Sequence, residues 1–278
     1  MPSFKTKEDK MDWLAQNCEE LICEAKTQVK FADAFGGVEL EVLAETGVAI
    51  KEEFADGTTV KTGVVDGSED IRVKSIINTT NLFDSHKDVH LPGLWNKSLK
   101  TYTRMKHLQE HSMRFKDVIA DKDDLKATTK EYTWKELGYD YEGKTQALEF
   151  DSIVKQSRNP YMHDQYSKGH VDNHSVGMQY VKMLFAMNSD KDQHAQYKLN
   201  WDKYIDQVAN KADAEKVGYM WLVLEAKAIE GSAVVNGSNF ATPTQSVSSV
   251  KHSGVEGQQE AEESLPDELK QFINNLKF

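Results

Sequence analysis

Three groups of residues in this 278-residue chain have types and spacings that could carry chemistry. The first is Asn173-His174-Ser175-Val176-Gly177-Met178, where a serine enters the apolar run Val176 to Phe185 beside a glycine that would allow close backbone approach to a ligand. A hydrolytic serine needs an imidazole base, a group that orients the imidazole and donors for the oxyanion, and these can come from distant segments in any chain order. The second group is histidine-rich: four of the nine histidines lie between Asp84 and His111. Within it, His107-Leu-Gln-Glu110-His111 matches the H-x-x-E-H zinc-peptidase pattern, in which two imidazoles one helical turn apart hold the metal and the glutamate activates water. The flanking MKHLQEHSMRFKD lacks the sustained helical period that would place both rings on one face. The third group is the pair Glu225 and Glu230 in the apolar stretch from Met220 to Val235. Five residues apart on a strand, they point to opposite faces, so one faces a site and the other is a solvated charge.

The elements that must position these groups are β-rich. Ile71 to Asn78, Gln146 to Phe150 and Gly218 to Val235 read as strands, and alternating runs at Val38 to Ala44 and Val48 to Phe54 read as two more. Asn96 to Met105 reads as a short helix. Ser189 to Lys216 is polar and helical, with Trp201, Tyr204, Ile205 and Val208 on one side, and reads as an insertion between two strands. The N-terminal segment carries an amphipathic helix from Asp9 to Phe31, closed by Gly36 and Gly37. Three regions follow: an N-terminal helical segment (1–37), a central domain (38–243) and a C-terminal acidic linker with a short helix (244–278). The linker composition cannot bury enough apolar area to order itself. Leu269, Phe272, Ile273 and Leu276 make the terminal helix amphipathic. The expected class is α+β, a β-rich barrel-like domain with helices around it.

Composition narrows the functions available. Thirty-four basic against 45 acidic residues leave a net charge of −11, with no basic block to track phosphates, so nucleic acid is not an expected ligand. The apolar runs are far shorter than a membrane span, and MPSFKTKEDK offers no apolar signal region, so a soluble protein without membrane partners is expected. Cys18 and Cys23, five apart, fit neither a redox pair nor a zinc clip and read as reduced structural residues.

Four segments in order resemble the tailed-phage prohead proteases, capsid-maturation serine peptidases that share a fold with herpesvirus assemblins. Asp84-Ser-His-Lys-Asp88-Val-His-Leu-Pro92-Gly93 is similar to that family's conserved acidic and Pro-Gly segment, and Leu108-Gln-Glu-His111 to the segment bearing its base. His174-Ser175-Val-Gly177-Met resembles its nucleophile segment, and Leu224 to Val235 the strand that follows. The resemblance implies a serine endopeptidase with Ser175 as nucleophile, His111 as general base and Glu230 as third member, and it implies no cofactor or metal. It further implies capsid and scaffold proteins as substrates, self-cleavage, and work in the host cytoplasm inside an assembling prohead. Self-association into a homo-oligomer stays open. Two departures stand out: 55 residues separate Ser175 from Glu230, which the helical insertion must account for, and Asn236 to Pro243 replaces the family's usual loop, where Gly237 is a candidate oxyanion donor. Two other readings remain beside this one. One is a zinc peptidase using His107, Glu110 and His111; the other is a silent protease-fold scaffold that binds partners through its terminal helices.

Overall fold

In the computed structural model, residues 2–31, 70–102 and 104–250 are described; the strands expected at Val38–Ala44 and Val48–Phe54 and the C-terminal helix lie outside them. The chain opens with helix α1, Lys7–Thr27, whose start is fixed by the Thr6 hydroxyl accepting the Asp9 N–H. The helix stops four residues earlier than its periodicity suggested. Gln28 turns extended, and Val29–Phe31 form strand β1 instead, because two β-favouring residues find an open strand edge there.

From residue 71 onward come β2 (Ile71–Thr79), β3 (Asp88–His90), α2 (Asn96–Thr101), β4 (His107–Gln109), β5 (Val118–Ala120), β6 (Leu125–Thr133) and β7 (Lys144–Val154). These are followed by α3 (Pro160–Ser167), β8 (His174–Met187), the helices α4 (Ala195–Tyr204) and α5 (Lys211–Val217), β9 (Tyr219–Ala233) and β10 (Thr244–Ser249). The two helices between β8 and β9 are the expected insertion. Strand β10 corrects the expected boundary at 243. Its Ser- and Thr-rich composition gave no core signal, yet it pairs antiparallel with β2 and buries Val247 against Ile71 and Val73.

The fold is α+β, with a curled half-barrel sheet and several helices. One sheet runs β1-β8-β9-β4-β5, and the other β10-β2-β7-β6. Fifteen-residue β9 organises the first: β8 covers one edge over nearly its whole length, while the other edge takes β3 in parallel at Trp221–Val223 and β4 in parallel at Gly231–Ala233. Ile77, Leu148 and Phe150 of the second sheet meet Val176, Met178, Tyr180, Val223 and Ala228 of the first in the main core. The sheets approach so closely at Gly231 that a Cβ there would lie 2.5 Å from the Phe150 ring. The inserted helices cover the outer part of β8 and β9 through Trp201, Ile205, Val208 and Ala214, and α1 packs Leu14 and Cys18 on Phe185, Met187 and Tyr219. Cys18 is buried and Cys23 exposed, both as free thiols. No helix among the described residues is long and apolar enough to cross a membrane.

Candidate active site

His111 is placed by a strained turn. Immediately after β4, Glu110 and His111 both adopt left-handed backbone conformations, with φ of 50° and 55°. For residues with a Cβ this costs about 1–2 kcal/mol each and persists only where surrounding bonds hold it. They do so here: the Glu110 N–H reaches the Ala233 carbonyl (2.9 Å), the Ser112 N–H reaches the Gln109 carbonyl (2.9 Å), and the His111 N–H reaches the Ser232 hydroxyl (3.1 Å). The turn therefore sends the imidazole back over β9 instead of out to solvent.

Glu230 receives it. The carboxylate is almost fully buried, and its Oε1 lies 2.5 Å from His111 Nδ1. Its Oε2 accepts the Ser232 hydroxyl at 2.5 Å. Residues 230 and 232 share a strand face, so Ser232 clamps the acid through its own proton and the histidine backbone through its oxygen. A carboxylate accepting from Nδ1–H makes Nε2 the lone-pair nitrogen, the one able to take a proton. Gly177 sits opposite Glu230 across the β8–β9 ladder, and a Cβ on it would fall 2.1 Å from Glu230 Oε1. Its lack of a side chain makes room for the acid, which differs from the substrate-approach role that the sequence suggested.

Ser175 is the register partner of Ser232. Directly opposed residues of an antiparallel pair have Cα atoms about 4.5–5.5 Å apart and side chains on one face. Ser175, Gly177, Glu230, Ser232 and the returning His111 ring thus share one end of one sheet face. Glu225 points elsewhere, paired at 3.0 Å with exposed Lys97. Gly237 packs against the His174 carbonyl, where a Cβ would approach to 2.8 Å.

The neighbouring histidines belong to the other face. His174 Nδ1 lies 2.9 Å from the Thr242 carbonyl, so it carries the proton, and Nε2 accepts the Tyr166 hydroxyl at 2.9 Å. The Tyr166 oxygen then accepts from His107 Nε2 at 3.0 Å, and His107 Nδ1 accepts from Ser152 at 3.0 Å. One directed chain of hydrogen bonds leaves both rings neutral. Burial pushes His107 well below the ordinary imidazole range and His174 down to about 4. The H-x-x-E-H motif consequently does not assemble. His107–Gln109 is a strand, both His107 nitrogens serve the core, and Glu110 is exposed.

A second acidic centre lies farther along the same sheet, where β3 pairs with β9. Buried Asp84 accepts the His86 and Asp88 N–H groups through Oδ1, and its carboxyl is held up to about 6 by burial and then by the charge of Asp88. Among the described residues, Asp84, His86 and Asp88 are the one group that offers potential metal-ligand atoms within 4.8 Å of one another. A cation of the protein itself already reaches it: Lys30 Nζ is 3.7 Å from Asp88 Oδ2, which also accepts the Tyr180 hydroxyl, and Lys30 lies 4.7 Å over the Tyr180 ring. Next to Lys30 on β1, Phe31 lies against His111 with ring centroids 5.1 Å apart.

Ser232, Lys30 and Phe31 escaped the sequence reading. Ser232 was recoverable from its same-face spacing to Glu230, whereas the β1 contacts span the chain and leave no local signal. Comparisons with protein families, curated proteins and solved structures return no match. What the arrangement can do chemically is hold one imidazole in a single tautomer through a buried carboxylate, on the sheet face that also carries Ser175.

Proposed function

We propose that the chain is a serine endopeptidase of the capsid-maturation type, acting on scaffold and capsid-protein segments. The observation that carries this reading is the 2.5 Å contact of buried Glu230 with His111 Nδ1, at the end of the strand pair that bears Ser175. His111 accepts the Ser175 proton as the hydroxyl attacks a peptide carbonyl, and then returns it to the leaving amine; water repeats the cycle on the acyl-enzyme. Glu230 acts through the histidine, fixing its tautomer and stabilising the imidazolium that forms. Ser232 and Gly177 are positioning residues for the carboxylate. The resemblance of four ordered segments supports the prohead context and the substrates.

The test is co-expression of the chain, or its Ser175→Ala variant, with the capsid and scaffold proteins encoded beside it, followed on gels with and without chelator. Cleavage by the wild type that is lost in Ser175→Ala and unaffected by chelator is expected. Cleavage that survives Ser175→Ala overturns the assignment, and loss on chelation points to a metal peptidase. Absence of cleavage in every arm favours a silent assembly scaffold.

A further inference from the structure

We infer that the outer edge of β8 is a peptide-binding edge whose built-in occupant is Val29–Phe31, and that an incoming extended segment replaces β1 with a basic residue at the Lys30 position and a large apolar one at the Phe31 position. That this segment is cut rather than only held rests on the peptidase reading above.

Closure of the site is the first observation. Ser175 is 3% exposed and the His111 side chain 5%, so a polypeptide cannot reach them as the chain stands. Of the described residues, Phe31 lies directly against the imidazole, and it is the register partner of Gly177, across which Glu230 faces. Whatever occupies this strand position therefore sits beside the proposed base.

The second observation is how lightly β1 is held. It is three residues long, pairs among the described residues with β8 alone, at Gly177–Gln179, and leaves Val29 46% and Phe31 40% exposed. Helix α1 has its own anchors, Leu14 and Cys18 against Phe185, Met187 and Tyr219, Ile22 and Ala25 on the main core, and the Lys26 carbonyl on the Gln179 amide, so it does not depend on β1 for its place. An edge strand of this kind presents main-chain groups that another extended segment can match, while alternate side chains supply selectivity.

The third observation gives the selectivity. Adjacent strand residues point to opposite faces, so Phe31 meets His111 while Lys30 reaches the buried acids. Asp84 and Asp88 are each 2% exposed, and Asp88 Oδ1 has no hydrogen-bond partner although it is buried. One lysine at 3.7 Å leaves this carboxylate incompletely satisfied. An arginine, with a planar fork of donors, suits it better than the point charge of lysine.

The experiment uses a fluorescent peptide of the chain's own sequence, Thr-Gln-Val-Lys-Phe-Ala-Asp, and fluorescence anisotropy. In full-length protein carrying Ser175→Ala, adding Lys30→Ala and Phe31→Ala removes the two side chains that hold β1 on the edge, one half-buried and one exposed, with retention of the fold checked by circular dichroism. The peptide should bind this variant at least tenfold more tightly than the Ser175→Ala parent. Replacing its lysine by arginine should tighten binding further, and replacing it by glutamate should weaken binding more than tenfold. Equal binding to both proteins, no binding to either, or indifference to the peptide's charge overturns the inference. A fluorophosphonate reports separately on Ser175: in proteins retaining the serine, Lys30→Ala/Phe31→Ala should be labelled at least tenfold faster than wild type. Peptide binding without any labelling defeats the peptidase reading and leaves the edge standing. Labelling without peptide binding does the reverse.

Discussion

Gly177→Ala is the most demanding probe of the site, because the smallest possible side chain would collide with its central hydrogen bond. The added Cβ would lie 2.1 Å from Glu230 Oε1 and 2.9 Å from its Cδ, against about 3.4 Å for an ordinary contact. The carboxylate must retreat by more than about 1 Å, yet both of its oxygens are held, one by His111 and one by Ser232. Overpacking costs about 1–3 kcal/mol, and loss of a hydrogen bond to a charged group about 1.5–3 kcal/mol. We expect about 3–5 kcal/mol of destabilisation, seen as a Tm lowered by roughly 6–20 °C in calorimetry. Peptide cleavage should fall at least about 100-fold, as expected when a catalytic imidazole loses its orienting group. Removing the obstacle should recover stability without recovering activity: Gly177→Ala/Glu230→Ala should be more stable than the sum of the single variants predicts by about 1–3 kcal/mol. A Gly177→Ala protein within about 0.5 kcal/mol of wild type, or a strictly additive cycle, would refute the packing argument.

Other perturbations follow from the same geometry. Glu230→Gln should sharply lower cleavage and alter its pH profile, while Glu225→Gln, which removes only a partly exposed pair with Lys97, should change stability by less than about 1 kcal/mol and leave cleavage intact. Tyr166→Phe strips a hydroxyl bonded to both His107 and His174 in the core, and denaturant titration should show a loss of about 2–4 kcal/mol. Those two histidines also set an acid limit. Their native pKa values are depressed below the unfolded value near 6.5, so the unfolded chain binds more protons as pH falls. Their contribution is intact above about pH 6.5 and drains away toward pH 4, at up to about 2.7 kcal/mol per pH unit for the pair. His174→Asn should flatten that slope in pH-dependent unfolding. Equal slopes would show that His174 is not the titrating group.

Much of this architecture was legible in the chain because it rests on local rules. The long apolar strand through Glu230 and the helical insertion before it announce themselves by period and composition. The choice between Glu225 and Glu230 was not legible, because the ladder shifts register between Ala228 and Glu230 and breaks the strand parity on which it rested; their partners, Lys97 for one and His111 for the other, decide it. Strand β10 and the conversion of Val29–Phe31 from helix to strand were not legible, because each depends on an edge supplied by a residue far away in sequence. The same holds for histidine roles. His107 and His111 are four residues apart and chemically identical, and the sequence offered them as partners in a metal motif. The fold separates them: strand geometry sends one into the core network, and two left-handed residues turn the other over β9. What the sequence determined by itself was the inventory, a serine, an imidazole and an acid on β-rich segments. Which imidazole meets which acid was decided by the turn that carries His111 over β9, and why a glycine must lie opposite that acid by the register of β8 on β9, since a side chain's neighbours across a sheet are set by pairing and not by spacing along the chain.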